Sequence, residues 1–91
     1  MTLELSLKNG YLVYKIEKYT IKSLIAGVVK ELICVENFNK KLGLVELKMR
    51  MELLDGTKCV ENEWVDIKDD LKLVYENPMD VINKIDKVII K

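Results

Sequence analysis

Residues 44–64 read LVELKMRMELLDGTKCVENEW, and this stretch decides the fold of the chain. In its first half, apolar side chains alternate with charged ones: Val45, Leu47, Met49, Met51 and Leu53 with Glu46, Lys48, Arg50 and Glu52. That two-residue period places one apolar row and one charged row on opposite faces of a strand. Asp55-Gly56 suits the positive φ angles of a tight turn, so residues 57–64 are predicted to return antiparallel.

A two-residue turn at Asp55-Gly56 also fixes which residues of this hairpin face each other. Met51 is expected opposite Val60, and Arg50 opposite Glu61 on the outer side. This register pairs apolar with apolar and cation with anion, as cross-strand energetics favour.

Composition describes one small globular domain over residues 1–91. Hydrophobic residues make up 49% of the chain and charged residues 33%, which is typical of folded rather than disordered proteins. The net charge is zero, yet residues 1–50 carry +4 and residues 51–91 carry −4. Such a split either cancels within a compact domain or creates a two-sided surface that orients a partner or drives self-association.

Turn signals divide the rest of the chain. Asn9-Gly10 separates the alternating residues 3–7 (LELSL) from residues 11–17 (YLVYKIE), which predicts a second hairpin. Residues 37–41 (NFNKK) are predicted to form a polar loop. After residues 68–70, a charged turn, residues 71–75 are predicted to form a short edge strand.

A C-terminal helix is predicted to open at Asn77-Pro78, because Asn is a good N-cap and Pro is tolerated at the first helical position. Its expected apolar stripe, which would pack on the sheet, is Val81, Ile82, Ile85, Val88 and Ile89.

Residues 20–36 (TIKSLIAGVVKELICVE) fit two structures. Apolar residues at i, i+3, i+4, i+7 and i+8 predict an amphipathic helix over residues 21–34, with Thr20 as its cap. Gly27 in the interior and the β-branched residues around it favour two strands that meet at a bend. The first alternative gives an α+β fold of order ββαββα, and the second a mainly-β fold.

The order of these features resembles the small SH3-like β-barrels of phages and mobile elements. The similarity lies in a Gly before LVYKIEKYTI (12–21), a Gly before VVKELICVEN (28–37), the turn segment ELLDGTKCVENEWV (52–65) and the ending LVYENPMDVINKI (73–85). It implies a mainly-β fold with a C-terminal helix, an SH3-like small barrel. It also implies a non-enzymatic role in which surface grooves or edges hold a partner.

Catalytic and cofactor motifs are not recognisable in the sequence. The chain has no histidine, so Ser-His and Cys-His nucleophile pairs are excluded, and its four glycines are isolated, so no phosphate-binding loop is present. Glu61, Glu63, Asp66, Asp69 and Asp70 form an acidic cluster that is interpreted as a solvated face, since it lacks the spacing of a calcium loop. We therefore expect neither an enzyme nor a bound metal or cofactor.

Five residues are the candidates for partner contact. Trp64 at the hairpin end is of a type that often anchors interfaces, although it could also cap a small core. Phe38 lies in a predicted loop, where little core is available to bury it. Arg50, the only arginine, is either the outer-face partner of Glu61 or a ligand clamp. Lys40 and Lys41 follow Phe38 directly.

These observations predict a cytoplasmic binding protein. No targeting segment and no apolar run of membrane-spanning length is recognisable. By the resemblance, the expected partner is a host protein complex, and the chain could inhibit a host defence system. Two alternatives are a sponge for a signalling nucleotide, bound between protomers of a homo-oligomer, and a nucleic-acid-binding barrel. The barrel would use seven lysines of the first half: Lys15, Lys18, Lys22, Lys30, Lys40, Lys41 and Lys48.

Overall fold

The computed structural model of the chain describes residues 1–24, 28–52 and 59–91, with the side chains of residues 1–24, 37–47 and 64–91. These residues form a mostly-β domain of seven strands and two short helices. The strands are β1 Thr2–Lys8, β2 Tyr11–Ile16, β3 Tyr19–Leu24, β4 Val28–Asn39, β5 Leu44–Glu52, β6 Cys59–Asp66 and β7 Lys87–Ile90. The helices are α1 Ile67–Leu71 and α2 Pro78–Asn83.

The strands form two sheets, a first sheet of order β3-β2-β1-β7 and a second sheet of order β4-β5-β6. Within the described ranges the sheets are not closed into a barrel, so the closed SH3-like architecture expected from the resemblance is not what the strand order gives. The coarser prediction, a mainly-β fold with a short C-terminal helix, is confirmed.

Tight turns hold the first sheet in register. Asn9 and Gly10 both have positive φ, 52° and 80°, so the predicted two-residue turn places Lys8 opposite Tyr11. The next turn uses Glu17 at φ 56°, and Ile16 lies opposite Tyr19. β7 joins the other edge by pairing parallel to β1.

The helix considered for residues 21–34 is wrong, and the register of β4 explains the misleading pattern. β4 has three register shifts against β5, and each adds an unpaired residue to β4. Residues three apart in β4 therefore lie opposite residues two apart in β5. The pairs are Val29 with Met51, Leu32 with Met49, Val35 with Leu47 and Phe38 with Val45. A three-residue apolar spacing here belongs to a bulged strand.

The central hairpin forms largely as predicted. β5 and β6 are antiparallel, and Met51 lies opposite Val60. Arg50 falls within a register shift between Lys48 and Met51, and its predicted contact with Glu61 concerns side chains outside the described set. The turn Asp55-Gly56 also lies outside the described residues.

The region after β6 differs from prediction in three places. Residues 67–71 form α1 where a charged turn was predicted at 68–70, because the Asp66 side chain accepts a hydrogen bond from Lys68 N (3.0 Å) and caps the helix. The edge strand predicted for residues 71–75 is wrong, since α1 includes Leu71 and a turn follows it. Asn77 precedes Pro78 at the start of α2 as predicted, but α2 ends at Asn83. The predicted stripe is therefore wrong for Ile85, which is buried but follows α2, and for Val88 and Ile89, which lie in β7.

One apolar core lies between the sheets and helices. The first sheet contributes Leu3, Leu5, Leu12, Tyr14, Ile16 and Ile21. The second sheet and the helices contribute Val45, Leu47, Val65, Ile67, Leu71, Val81, Ile82 and Ile85. Each sheet thus has an inner face on this core and an outer face that points away from it.

Candidate binding surfaces

Trp64 lies on the outer face of the second sheet. The register places it beside Glu46 of β5, which in turn lies opposite Asn37 of β4. Neighbouring Val45 and Val65 are buried on the inner face, so alternation along the strands directs Trp64 away from the core. Its side chain is 51% exposed. The alternative in which Trp64 caps the core therefore does not apply.

Phe38 was predicted to lie in a polar loop, and this placement is wrong. β4 continues to Asn39, and Phe38 lies opposite Val45 on the inner face, where it packs half-buried against the core. The long bulged strand extends through the polar residues because β5 supplies hydrogen-bonding partners up to Leu44. Phe38 and Trp64 thus belong to opposite faces of one sheet and cannot form a single contact surface.

Lys40 and Lys41 are exposed in the turn that joins β4 to β5. The turn is closed by Gly43 N, which donates to Asn39 O (2.9 Å), and by Leu42 N, which donates to Asn39 Oδ1 (3.2 Å). Next to this turn, Leu44 of β5 pairs with Asn39 of β4 on one side and with Asp66 of β6 on the other. Trp64 precedes Asp66 by two residues in β6, so it lies on the same face, one row further from the turn. We define the Trp64 surface as Trp64, Glu46 and Asn37 with the adjoining Lys40 and Lys41.

Arg50, the fifth predicted contact residue, is part of β5. Its side chain lies outside the described set, so its role stays a prediction.

The acidic cluster is partly structural. Asp66 caps α1, and Asp69 Oδ1 accepts from Lys72 Nζ at 3.1 Å. Burial raises the pKa of Asp70, the charges of Asp66 and Asp69 raise it further, and a hydrogen bond with the Ser23 side chain acts in the opposite direction. Among the described residues, no three acidic or thiol side chains are grouped to hold a metal ion. The side chains of Glu61 and Glu63 are outside that set.

Tyr75 follows the turn after α1 and packs against β3. Its ring meets Tyr19 edge to face, with centroids 5.2 Å apart. Its hydroxyl is buried without a hydrogen-bond partner in the described part of the chain, and burial raises its pKa, with smaller contributions from Glu17 and Tyr19.

A second surface groups Lys15 and Lys22, two of the lysines predicted for nucleic acid, with further residues of the first sheet. On the outer face of the first sheet, three successive cross-strand rows each carry one exposed lysine. The rows are Glu4-Lys15-Thr20, Ser6-Val13-Lys22 and Lys8-Tyr11-Leu24. We define the basic face as Lys8, Lys15 and Lys22 together with Tyr11 and Leu24.

Two depressions follow these rows. One of about 320 Å³ is lined by Glu4, Ser6, Lys8, Val13, Lys15, Thr20 and Lys91. Another of about 200 Å³ is lined by Lys8, Asn9, Tyr11, Val13 and Lys22. Val13 lines both depressions and is buried.

The sequence contained the signal for this surface. Asn9-Gly10 as a two-residue turn already places Lys8 opposite Tyr11, and strand alternation then puts Lys15 on the same face. Only the turn at Glu17, which has no glycine, hid the position of Lys22.

Of the five predicted nucleic-acid lysines whose side chains are described, Lys15 and Lys22 lie on the basic face and the other three do not. Lys18 Nζ lies 5.6 Å from the centroid of the Tyr19 ring, in the turn after β2. Lys40 and Lys41 belong to the other sheet, and the side chains of Lys30 and Lys48 are outside the described set.

Comparison with known proteins gives no relative for this chain: no family model, no curated protein and no solved structure matches it. Within the described ranges, no helix has the length and apolar character needed to cross a membrane.

Proposed function

We propose that this chain is a small non-enzymatic protein that binds a host protein complex through the Trp64 surface. The resemblance to SH3-like proteins of phages and mobile elements supports a setting in the host cytoplasm, where the chain would inhibit a defence system. A half-exposed indole on the outer face of a sheet carries this proposal.

Trp64 suits the centre of an interface for two physical reasons. Its ring system offers a large apolar area, and few rotatable bonds lose their freedom when it is buried. Its indole N–H can donate a hydrogen bond to a partner. Alanine scanning places tryptophan among the residues whose removal weakens complexes most, by 2 kcal/mol or more at hot spots. Lys40 and Lys41 at the adjoining turn add positive charge at the rim, where charge mainly speeds association.

Affinity capture from host lysate tests the proposal. The wild-type protein should recover a stoichiometric partner, and Trp64→Ala should weaken that complex by about 30-fold or more, as expected for a hot spot. Leu73→Ala is the matched control, because Leu73 is an 84% exposed apolar residue in the turn after α1 and is not part of the Trp64 surface. Capture that is equally strong with Trp64→Ala would refute this surface.

A charge variant distinguishes the role of the lysines at the rim of the Trp64 surface from that of Trp64 at its centre. Lys40→Glu combined with Lys41→Glu should slow association with the captured partner and leave dissociation nearly unchanged. Phe38→Ala should instead lower the stability of the free protein, since the ring packs against the core. A Phe38→Ala variant of unchanged stability that no longer binds would restore Phe38 as a contact residue.

The nucleotide sponge is the alternative that needs a homo-oligomer. It predicts that a cyclic dinucleotide raises the melting temperature by mass action on the folded state.

A further inference from the structure

We propose that the basic face of the first sheet binds single-stranded nucleic acid, with its three lysines on phosphates and Tyr11 stacked on a base. This surface is separate from the Trp64 surface, and the inference does not depend on the function proposed above.

Charge supports a polyanionic ligand. In the described part of the chain, Lys8, Lys15 and Lys22 have no carboxylate within ion-pair distance. The acidic side chain within the three rows is Glu4, whose Oε1 is held by Lys91 Nζ at 3.3 Å. Lys8, Lys15, Lys22 and Lys91 against Glu4 and Glu17 leave a net charge of +2 on a protein of zero net charge. Glu17 lies beyond Lys15, at the end of the face away from Lys8 and Tyr11.

Spacing supports a linear ligand rather than a single anion. Successive rows on one face of an antiparallel sheet are two residues apart, or about 7 Å along the strands. Lys15, Lys22 and Lys8 occupy three such rows in turn, so their ammonium groups are distributed along the sheet. A phosphate backbone presents charges in that way, and a basic groove that tracks the backbone is the usual feature of single-strand binding.

The exposed ring distinguishes nucleic acid from an acidic peptide. Tyr11 is 42% exposed and lies in the same row as Lys8 and the exposed Leu24. An acidic peptide would account for the lysines but would leave the ring without a role. Any unpaired base can stack on it, whereas a flat sheet face offers no projecting element to enter a duplex groove.

Fluorescence anisotropy with a labelled oligothymidylate of about twelve nucleotides tests the inference, since single-strand sites span roughly 4–16 nucleotides. Three phosphate contacts predict that affinity falls about 15- to 20-fold between 50 and 200 mM salt. The triple variant Lys8→Gln, Lys15→Gln, Lys22→Gln should abolish most of that salt dependence. The matched control, Lys40→Gln with Lys41→Gln, should bind like the wild type.

Tyr11 variants examine stacking separately. Tyr11→Ala should weaken oligothymidylate binding about fivefold or more, and Tyr11→Phe should bind within about twofold of the wild type because the ring is retained. Circular dichroism of each variant verifies folding, which these exposed positions should not disturb.

Three results would overturn the inference. They are no complex at 50 mM salt, equal losses in the triple variant and its control, or an oligoglutamate of similar charge that binds as well and responds to the same substitutions. The last result would assign the face to an acidic protein segment. Loss of oligothymidylate binding with an intact protein complex at Trp64 would show that the two surfaces act independently.

Discussion

The two sheets keep their registers in different ways. The first sheet pairs β1 with β2 and β2 with β3 over six residues each without interruption, whereas β4 shifts three times against β5. Two-residue turns with positive φ fix the register of the first sheet at its ends. Bulges in the second sheet bend β4 and change which residues of the chain lie opposite the apolar row of β5.

This difference teaches how far a face can be assigned from sequence. In the first sheet a residue's face follows from counting by two from a turn, so the basic face is regular. In the second sheet, each bulge inserts one extra residue into β4, so counting by two no longer gives the face of a residue. The shared core nevertheless predicts that the sheets unfold together, and three substitutions of decreasing effect examine that expectation.

Leu47→Asp should have the largest effect. Leu47 is fully buried in the core between the sheets, and an unpaired carboxylate there costs more than the whole stability of a small domain. We expect loss of folded structure in both sheets, measured by circular dichroism and by the fluorescence of the single tryptophan, Trp64. Glu46→Gln, the outer-face neighbour, should change stability by less than about 0.5 kcal/mol. A first sheet that stays folded in Leu47→Asp would show that the sheets are independent units.

Gly43→Ala should have the next largest effect. Gly43 has φ 67°, and a Cβ there would lie 2.6 Å from Lys68 Cβ and 2.9 Å from Ile82 Cδ1. The strained backbone and the overlap with α1 together should lower the free energy of unfolding by about 2–4 kcal/mol in urea denaturation.

Gly10→Ala is the comparison for that measurement. Gly10 has positive φ in the first sheet's turn, so the backbone term alone should lower stability by about 1–2 kcal/mol. Equal losses at the two glycines would contradict the close packing of the second sheet's turn on the helices.

Asp70→Asn should have the smallest effect, and it should stabilise the protein. Asp70 lies where α1 meets β3, and its pKa is raised above the usual 3.8, mainly by burial. Between pH 3.8 and the raised pKa of Asp70, the native state binds more protons than the unfolded state. Stability therefore falls as the pH rises through this range. Removing the charge should raise the melting temperature at pH 7.

The pH dependence of this gain is its test. Below pH 3.8 the wild-type carboxyl is protonated in both states, so the two proteins should converge. Asp80→Asn, in the first turn of α2, serves as control and should lower stability by a few tenths of a kcal/mol at neutral pH. A gain that persists unchanged at acidic pH would exclude charge as its cause.

Local chemistry predicted much of this fold. The alternation of Val45 and Leu47, the turn at Asn9-Gly10 and the start of α2 at Pro78 each depend on neighbouring residues only. The parts that were missed depend on distant residues. Val88 and Ile89 continue an apolar pattern from α2, but β1 recruits them into a sheet from the other end of the sequence.

The candidate surfaces follow the same rule. The sequence left Trp64 between an interface anchor and a cap on the core, and the register of the local hairpin decides this by placing it on the outer face. Phe38 was misplaced since nothing near it in sequence shows that β5 extends β4 through Asn39. Lys15 and Lys22 were predicted as nucleic-acid lysines, but their grouping with Lys8 on one face was missed, because Lys22 joins it through β3, across a turn without glycine.

The parallel pairing of β1 with β7 has a consequence for biosynthesis. Residues 2–5 find their neighbours only when residues 87–90 are present. During translation, the backbone N–H and C=O groups on one edge of β1 therefore stay unpaired until residues 87–90 have left the ribosomal exit tunnel. Contacts of such long sequence separation slow folding, so this edge of β1 is open to association with other nascent chains until β7 arrives.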